Sequence, residues 1–265
     1  MAATVGELVI VGTGIQIGRD FTATAQHHIK TADKVYFLVA ELVAAQTILD
    51  LNPRAESLEN LYSDGKRRLD TYREMVDRIL AALADGQNVC VAVYGHPGVF
   101  AYPMHEAIRK AREAGFAARM LPAVSSIDCL IADLAIDPAA HGMQIYDASD
   151  FVVSRRPFDT TTALVLLQID VVGEPSYKQH NNRGGLPLLR ERLTQRYGDE
   201  HEAIVYSASE YVWGNPSVRK LTLRALSAEY AGPGSILFVP ARESAAIDEP
   251  TIKQLDALVS AAQKN

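Results

Sequence analysis

The chain has 265 residues, 48% of them hydrophobic and 22% charged, the balance of a soluble globular protein with room for one large or two small packed units. Its formal net charge of -6 argues against sequence-independent nucleic-acid binding, which rests on an excess of Lys and Arg. No apolar run approaches the roughly 20 residues of a membrane span, and nothing near the amino terminus reads as a signal peptide, so a cytoplasmic location is expected.

Glu7 to Val11 reads as a buried first strand, stopped by Gly12-Thr13-Gly14. Thr22 to Ala32 reads as a helix and Lys34 to Val39 as a second strand. Apolar residues at Leu69, Tyr72, Val76, Ile79, Leu80 and Leu83 predict a helix over Gly65 to Leu83, which Asp85-Gly86 ends. A strand at Val89 to Val93, a helix at Met104 to Ala114 and a strand at Ala117 to Leu121 continue the alternation typical of a parallel sheet, so the class is α/β. Ser125 to Leu134 is a helix that Ser125 can cap. Beyond it, Gln144 to Tyr146, Thr162 to Gln168, Ala203 to Ser207 and Ser235 to Pro240 read as strands with longer connections, and Leu186 to Tyr197 as a helix. A boundary near Pro122 is expected, giving units 1–122 and 123–242. In the tail, 243–265, Ile252, Leu255, Leu258 and Val259 suggest one short amphipathic helix. The polar, glycine-rich run from Gly173 to Gly185 is either a surface loop or a flap. Cys90 and Cys129 lie in apolar runs and read as buried thiols. No Cys or His spacing suggests a metal site, and His27-His28 is an isolated pair on a helix face.

Three runs carry chemical information. Val11 to Gly18 tempts a dinucleotide reading, but its third glycine comes one position late for Gly-x-Gly-x-x-Gly. Tyr94-Gly95-His96-Pro97-Gly98-Val99-Phe100 follows a strand and cannot turn helical at once, because Pro97 lacks an N–H and both glycines permit unusual dihedrals. That makes a fixed loop at the carboxyl end of a strand, where open α/β sheets place ligands. In Tyr62-Ser63-Asp64-Gly65-Lys66-Arg67-Arg68-Leu69-Asp70-Thr71-Tyr72, Arg68 and Tyr72 are i and i+4 on one helix face, with Tyr62 in the preceding loop. Spacing alone favours Tyr72 as core and Arg68 as a surface charge.

Tyr94 to Phe100, Met120 to Leu130 and Ala132 to Pro138, taken together, resemble the tetrapyrrole-methylase superfamily of S-adenosylmethionine (SAM) enzymes. Within it the chain is most similar to the borosin peptide α-N-methyltransferases, from about Leu8 to Pro240. Where tetrapyrrole methylases usually show Gly-Pro-Gly-Asp, this chain has Thr13-Gly14-Ile15-Gln16, which weakens a porphyrinoid reading. The resemblance implies two α/β domains of the tetrapyrrole-methylase type with SAM in the cleft between them. It places Tyr94, His96, Val99 and Phe100 on one wall. It also implies that Ser125 and Ser126, at a helix start, face the cofactor's carboxylate. Gln168 is either a ligand contact or a satisfied interior amide. Tyr206-Ser207-Ala208 and Gly234-Ser235-Ile236 close the site by the same resemblance.

Tyr62, Arg68 and Tyr72 match the borosin catalytic constellation, and the chemistry suits these residue types. A peptide N–H is a poor nucleophile until it loses its proton and the charge settles on the amide oxygen. A phenolate favoured by a guanidinium, at Tyr72 or Tyr62, would take that proton, while the other hydroxyl and Arg68 stabilise the oxygen. The implied function is iterative α-N-methylation of backbone amides in a ribosomally made precursor peptide, with S-adenosylhomocysteine as product. The short tail offers no apolar core peptide, so a substrate on a separate chain is expected, and the resemblance implies a homodimer. The alternatives are a methylase of a tetrapyrrole or other small metabolite, and a non-catalytic SAM-binding partner protein.

Overall fold

A computed structural model describes residues 6–39, 41–178 and 184–262. The first sheet contains β1 (Glu7–Gly12), β2 (Lys34–Leu38), β3 (Glu56–Ser57), β4 (Val89–Val93) and β5 (Ala117–Met120) in the order β3-β2-β4-β1-β5, all parallel. Central β1 and β4 are covered on both faces and read accordingly as unbroken apolar runs, with Leu8 opposite Val89. Met75, Ile79 and Leu83 of helix Arg68–Ala84, joined by Met104 and Ala107 of helix Tyr102–Glu113, pack on one face. Phe21, Ile29, Ala44 and Ile48 pack on the other. Each fully buried Leu, Ile or Met there contributes about 1.5–3 kcal/mol.

The second sheet is mixed. It holds β6 (Met143–Asp147), β7 (Ala163–Leu167), β8 (Glu202–Ser207), β9 (Ser217–Thr222) and β10 (Ile236–Val239) in the order β6-β7-β10-β8-β9. Only β6 and β7 run parallel; β10 pairs antiparallel with β7 and β8, and β8 with β9. Helix Leu186–Tyr197 covers one face through Leu189 and Leu193, and helix Ser126–Asp133 covers the other through Cys129 and Leu130.

Two elements were not anticipated from the sequence, and two expectations need adjustment. Helix Leu42–Leu51 has no clean apolar stripe, since Leu42 is 82% exposed and only Ala44 and Ile48 are buried; the Glu41 carboxylate, accepting from the N–H groups of Val43 and Ala44, starts it. Charged, exposed β9 forms the sheet edge and carries no hydrophobic alternation. The helix expected from Gly65 begins at Arg68, because Gly65 sits at φ 76° and belongs to a turn. Of the glycine-rich run, residues 179–183 lie outside the described residues, but its first part is firmly docked. Gly65 N–H donates to Tyr177 O (2.9 Å), Tyr177 N–H to Lys66 O (2.8 Å) and Arg68 N–H to Pro175 O (3.0 Å), so this strap joins the second sheet's connection to the start of the Arg68 helix.

Helix Glu249–Ala262 buries none of its residues. Among the described residues no helix is long and apolar enough to cross a membrane. Cys90 and Cys129 are free, buried thiols.

Candidate active site

Four strands end on one cavity of ≈ 460 Å³. Leu38 and Val93 from the ends of β2 and β4 meet Leu167 and Ser207 from the ends of β7 and β8, with Gly234 just ahead of β10. The carboxyl edge of the first parallel sheet thus faces the second sheet across the cavity, the placement expected for a ligand site in an open α/β fold.

The loop after β4 is locked against the loop after β1. Gly95 N–H donates to Gly14 O (3.0 Å), and a Cβ on Gly12 would lie 2.1 Å from Gly95 O, so Gly12 admits no side chain. Within the loop, Gly98 N–H donates to His96 Nδ1 (2.9 Å), which makes His96 a brace. Phe100 at φ 52° and Gln168 at φ 60° both line the cavity in the left-handed region, where a non-glycine residue costs on the order of 1–3 kcal/mol and tends to mark functional sites.

Of the residues expected around the cofactor, Tyr94, Val99, Phe100, Ser126, Gln168, Ser207, Ala208 and Gly234 line the cavity. His96, Ser125, Tyr206, Ser235 and Ile236 do not line it. Ser125 is committed to its helix: its hydroxyl donates to Asp128 Oδ2 (2.6 Å) and accepts from Asp128 N–H (3.3 Å). The neighbouring Ser126 lines the cavity instead. Tyr206 is fully buried and donates to Asp133 Oδ2 (2.6 Å). Ser235 Oγ lies 3.1 Å from Ser207 Oγ, and Ile236 is core.

Tyr62 and Tyr72 come together on the cavity wall, their ring centroids 6.5 Å apart at 87°, close enough for the Tyr72 hydroxyl to act on the Tyr62 phenol. Tyr177 of the strap packs against Tyr62 in a tilted arrangement, centroids 4.9 Å apart, and Tyr102 flanks Tyr72 at 6.2 Å. Arg68 does not line the cavity. Its Nε is buried without a partner, and its charge acts on Tyr62 from behind. Burial, followed by Tyr72, pushes the Tyr62 phenol above its ordinary value and outweighs Arg68. In the absence of ligand this favours the neutral phenol at Tyr62.

Three carboxylates on the same wall were not anticipated: Glu41, Glu59 and Glu210. Glu59 opens the short turn Glu59–Leu61 that delivers Tyr62, whose N–H donates to Glu59 O (3.0 Å). Its carboxylate has no hydrogen-bond or ion-pair partner among the described residues, and burial raises its pKa. Glu41 turns toward the cavity while capping its helix, and the Tyr211 hydroxyl lies 3.5 Å from its Oε1. The only cue for Glu59 was its position three residues before Tyr62, and an isolated glutamate reads as solvated surface.

Residues 7–209 match the family of tetrapyrrole (corrin/porphyrin) methylases, and the chain belongs to that family. Solved structures with the same fold include the uroporphyrin-III-C-methyltransferase from Thermus thermophilus, with TM-score 0.64 and 18% identity over 89% of this chain and 93% of that one. Cobalt precorrin-4 methyltransferase matches with TM-score 0.62 and 16% identity, over 89% of this chain and 96% of that one. By sequence the chain is 36% identical, over 96% of its length, to the methyltransferase/ribosomally synthesized cyclic peptide dendrothelin A precursor of Dendrothele bispora. It is 37% identical, over 96% of its length, to the corresponding omphalotin A precursor of Omphalotus olearius. The chain spans 62% of the length of each of these two relatives.

Proposed function

We propose that this chain is a SAM-dependent α-N-methyltransferase that works iteratively on backbone amides of a ribosomally made peptide. The protein works as a homodimer. Family membership and the names of the relatives, each a methyltransferase joined to a peptide precursor, support this reading. The observation that carries it is the Tyr62–Tyr72 hydroxyl pair on the wall of the strand-end cavity.

The residues present suit SAM. Leu38, Val93, Val99 and Leu167 offer apolar surface for adenine, and Ser126 stands at a helix start suited to a carboxylate. A Cβ on Gly234 would meet no protein atom within 4 Å, so the wall there stays open. Aromatic Tyr94 and Phe100, with Glu41, Glu59 and Glu210, suit a cationic sulfonium. When bound, SAM supplies an electrophilic methyl group on that sulfur.

The chain's own task is then the amide proton. With Tyr62 neutral, the amide N–H proton passes to a tyrosine oxygen as that hydroxyl releases its own proton toward Glu59. Glu59 ends as a neutral carboxyl that later exchanges with water, and the charge balances. The remaining tyrosine hydroxyl steadies the amide oxygen, and Arg68 acts through Tyr62 as a positioning and electrostatic residue.

Incubation with SAM and a candidate peptide, followed by fragmentation mass spectrometry, tests this. Successive methyl increments on backbone nitrogens are expected. SAM binding with no transfer would make the chain a non-catalytic partner, and transfer to a tetrapyrrole alone would make it a small-metabolite methylase.

A further inference from the structure

Away from the strand-end cavity, against the helix Leu186–Tyr197, a second concavity of ≈ 370 Å³ is lined by Arg155, Arg156, Arg192 and Arg196 together with Phe158. Four guanidiniums around one depression are unexpected in a chain of net charge -6. Only Arg156 is neutralised, by Asp150 at 2.7 Å. Asp159 is near enough for Arg196 to act on it, but its carboxylate accepts from Thr161 N–H at 2.8 Å. Arg155, Arg192 and Arg196 have no ion-pair partner among the described residues.

The guanidiniums of Arg192 and Arg196 are also held in place. Arg192 lies over the Phe151 ring at 4.8 Å and donates through Nη2 to Arg156 O at 2.6 Å; Arg196 lies over Phe158 at 5.6 Å. Arg192 Nε is buried without an acceptor, which leaves a charged donor desolvated and unpaired. Arg155, at φ 47°, is the left-handed residue that ends the helix Ala148–Val153, and this turn sets its side chain beside Arg156 at the rim. Like charges gathered this way repel one another unless an anion joins them, and burial together with Arg155 lowers the pKa of Arg192. Planar guanidinium forks match the oxygens of a phosphate group two at a time.

We propose that this concavity is a binding site for a small phosphate-bearing anion, best filled by a diphosphate group. Three unpaired cations match the charge of a diphosphate better than that of a monophosphate, and the volume admits more than one phosphate. The site is independent of the methyl-transfer reading.

Titration calorimetry of the full chain with inorganic pyrophosphate and with inorganic phosphate tests it. Saturable binding is expected, tighter for pyrophosphate and weakened by added salt. Arg155→Gln, at an exposed position that leaves the core untouched, should weaken pyrophosphate roughly tenfold or more. Arg192→Gln should do the same, with a melting curve to check the loss of its ring contact. Arg109→Gln, on the outer face of another helix, should change nothing. ADP as a further titrant separates sources: competition with pyrophosphate supports a site for an esterified diphosphate, and exclusion of ADP supports a site for the free anion. Absence of saturable heat, or affinity unchanged in Arg155→Gln, would overturn the proposal.

Discussion

Replacing Tyr72 by Phe separates a chemical role from a packing role. The ring stays in place against the core of the helix Arg68–Ala84 and beside Tyr62 and Tyr102. Only the hydroxyl is lost, and with it its electrostatic influence on Tyr62. Even a full side-chain hydrogen bond is worth only about 0.5–1.5 kcal/mol, and this hydroxyl lines an open cavity, so the lower end bounds the cost. For a chain of this size that shifts the melting temperature by about 1–3 °C. Loss of a group that moves the proton or steadies the amide oxygen costs roughly 100- to 10,000-fold in rate, or about 3–5 kcal/mol. The functional cost should therefore exceed the structural one several times over. Single-turnover methylation with protein in excess over peptide, read beside melting curves and SAM affinity, measures both. A Tyr72→Phe rate within about threefold of wild type would refute the proposed role. So would a rate loss matched by an equal loss of SAM binding.

Glu59→Gln tests the proton's destination. Wild-type turnover should rise with pH as Glu59 ionises, with a midpoint above the ordinary carboxylate value because burial raises it, and the variant should lose that limb. The folded pKa lies above the unfolded one, so Glu59's contribution to stability is present in acid and lost as pH rises. The Gln variant should accordingly melt no lower than wild type at neutral pH. Gly234→Leu should abolish SAM binding in calorimetry while Gly234→Ala retains it, since both share the strain of φ 68° and only the longer side chain fills the open space. Tyr177→Ala removes the ring packed against Tyr62 and should lower turnover about tenfold or more with little change in melting, as expected for a misplaced catalytic group. Equal turnover would mean that Tyr62 is held without it.

Continuous apolar runs made β1 and β4 readable, and the period of helix Leu186–Tyr197 made that element readable to its ends. The Tyr94–Phe100 loop was legible because proline and glycine dictate backbone geometry locally. Legibility failed where a side chain had a choice of direction. Alternation along β8 turns Tyr206 with Ile204 into the core, and capping turns Ser125 toward Asp128. Glu41, Glu59 and Glu210 escaped notice because solvated charges and cavity charges look alike in one dimension. Only the meeting of distant strand ends distinguishes them. Backbone bonds such as those between Pro175, Tyr177 and Gly65 to Arg68 carry no side-chain signature at all.

Those last bonds bear on how freely this protein's parts can be exchanged. Arg67 precedes the helix without offering a side-chain cap, so Pro175 supplies the acceptor that the first helical N–H needs. The helix bearing Arg68 and Tyr72 is thus begun by a residue from the opposite half of the chain. A chimera that grafts the second half of a relative onto this first half would alter the reaction centre even with every catalytic side chain retained, unless the graft preserves the backbone path through Pro175 and Tyr177. Recombination breakpoints that keep residues 62–72 and 174–178 from one parent should yield active hybrids far more often than breakpoints that separate them.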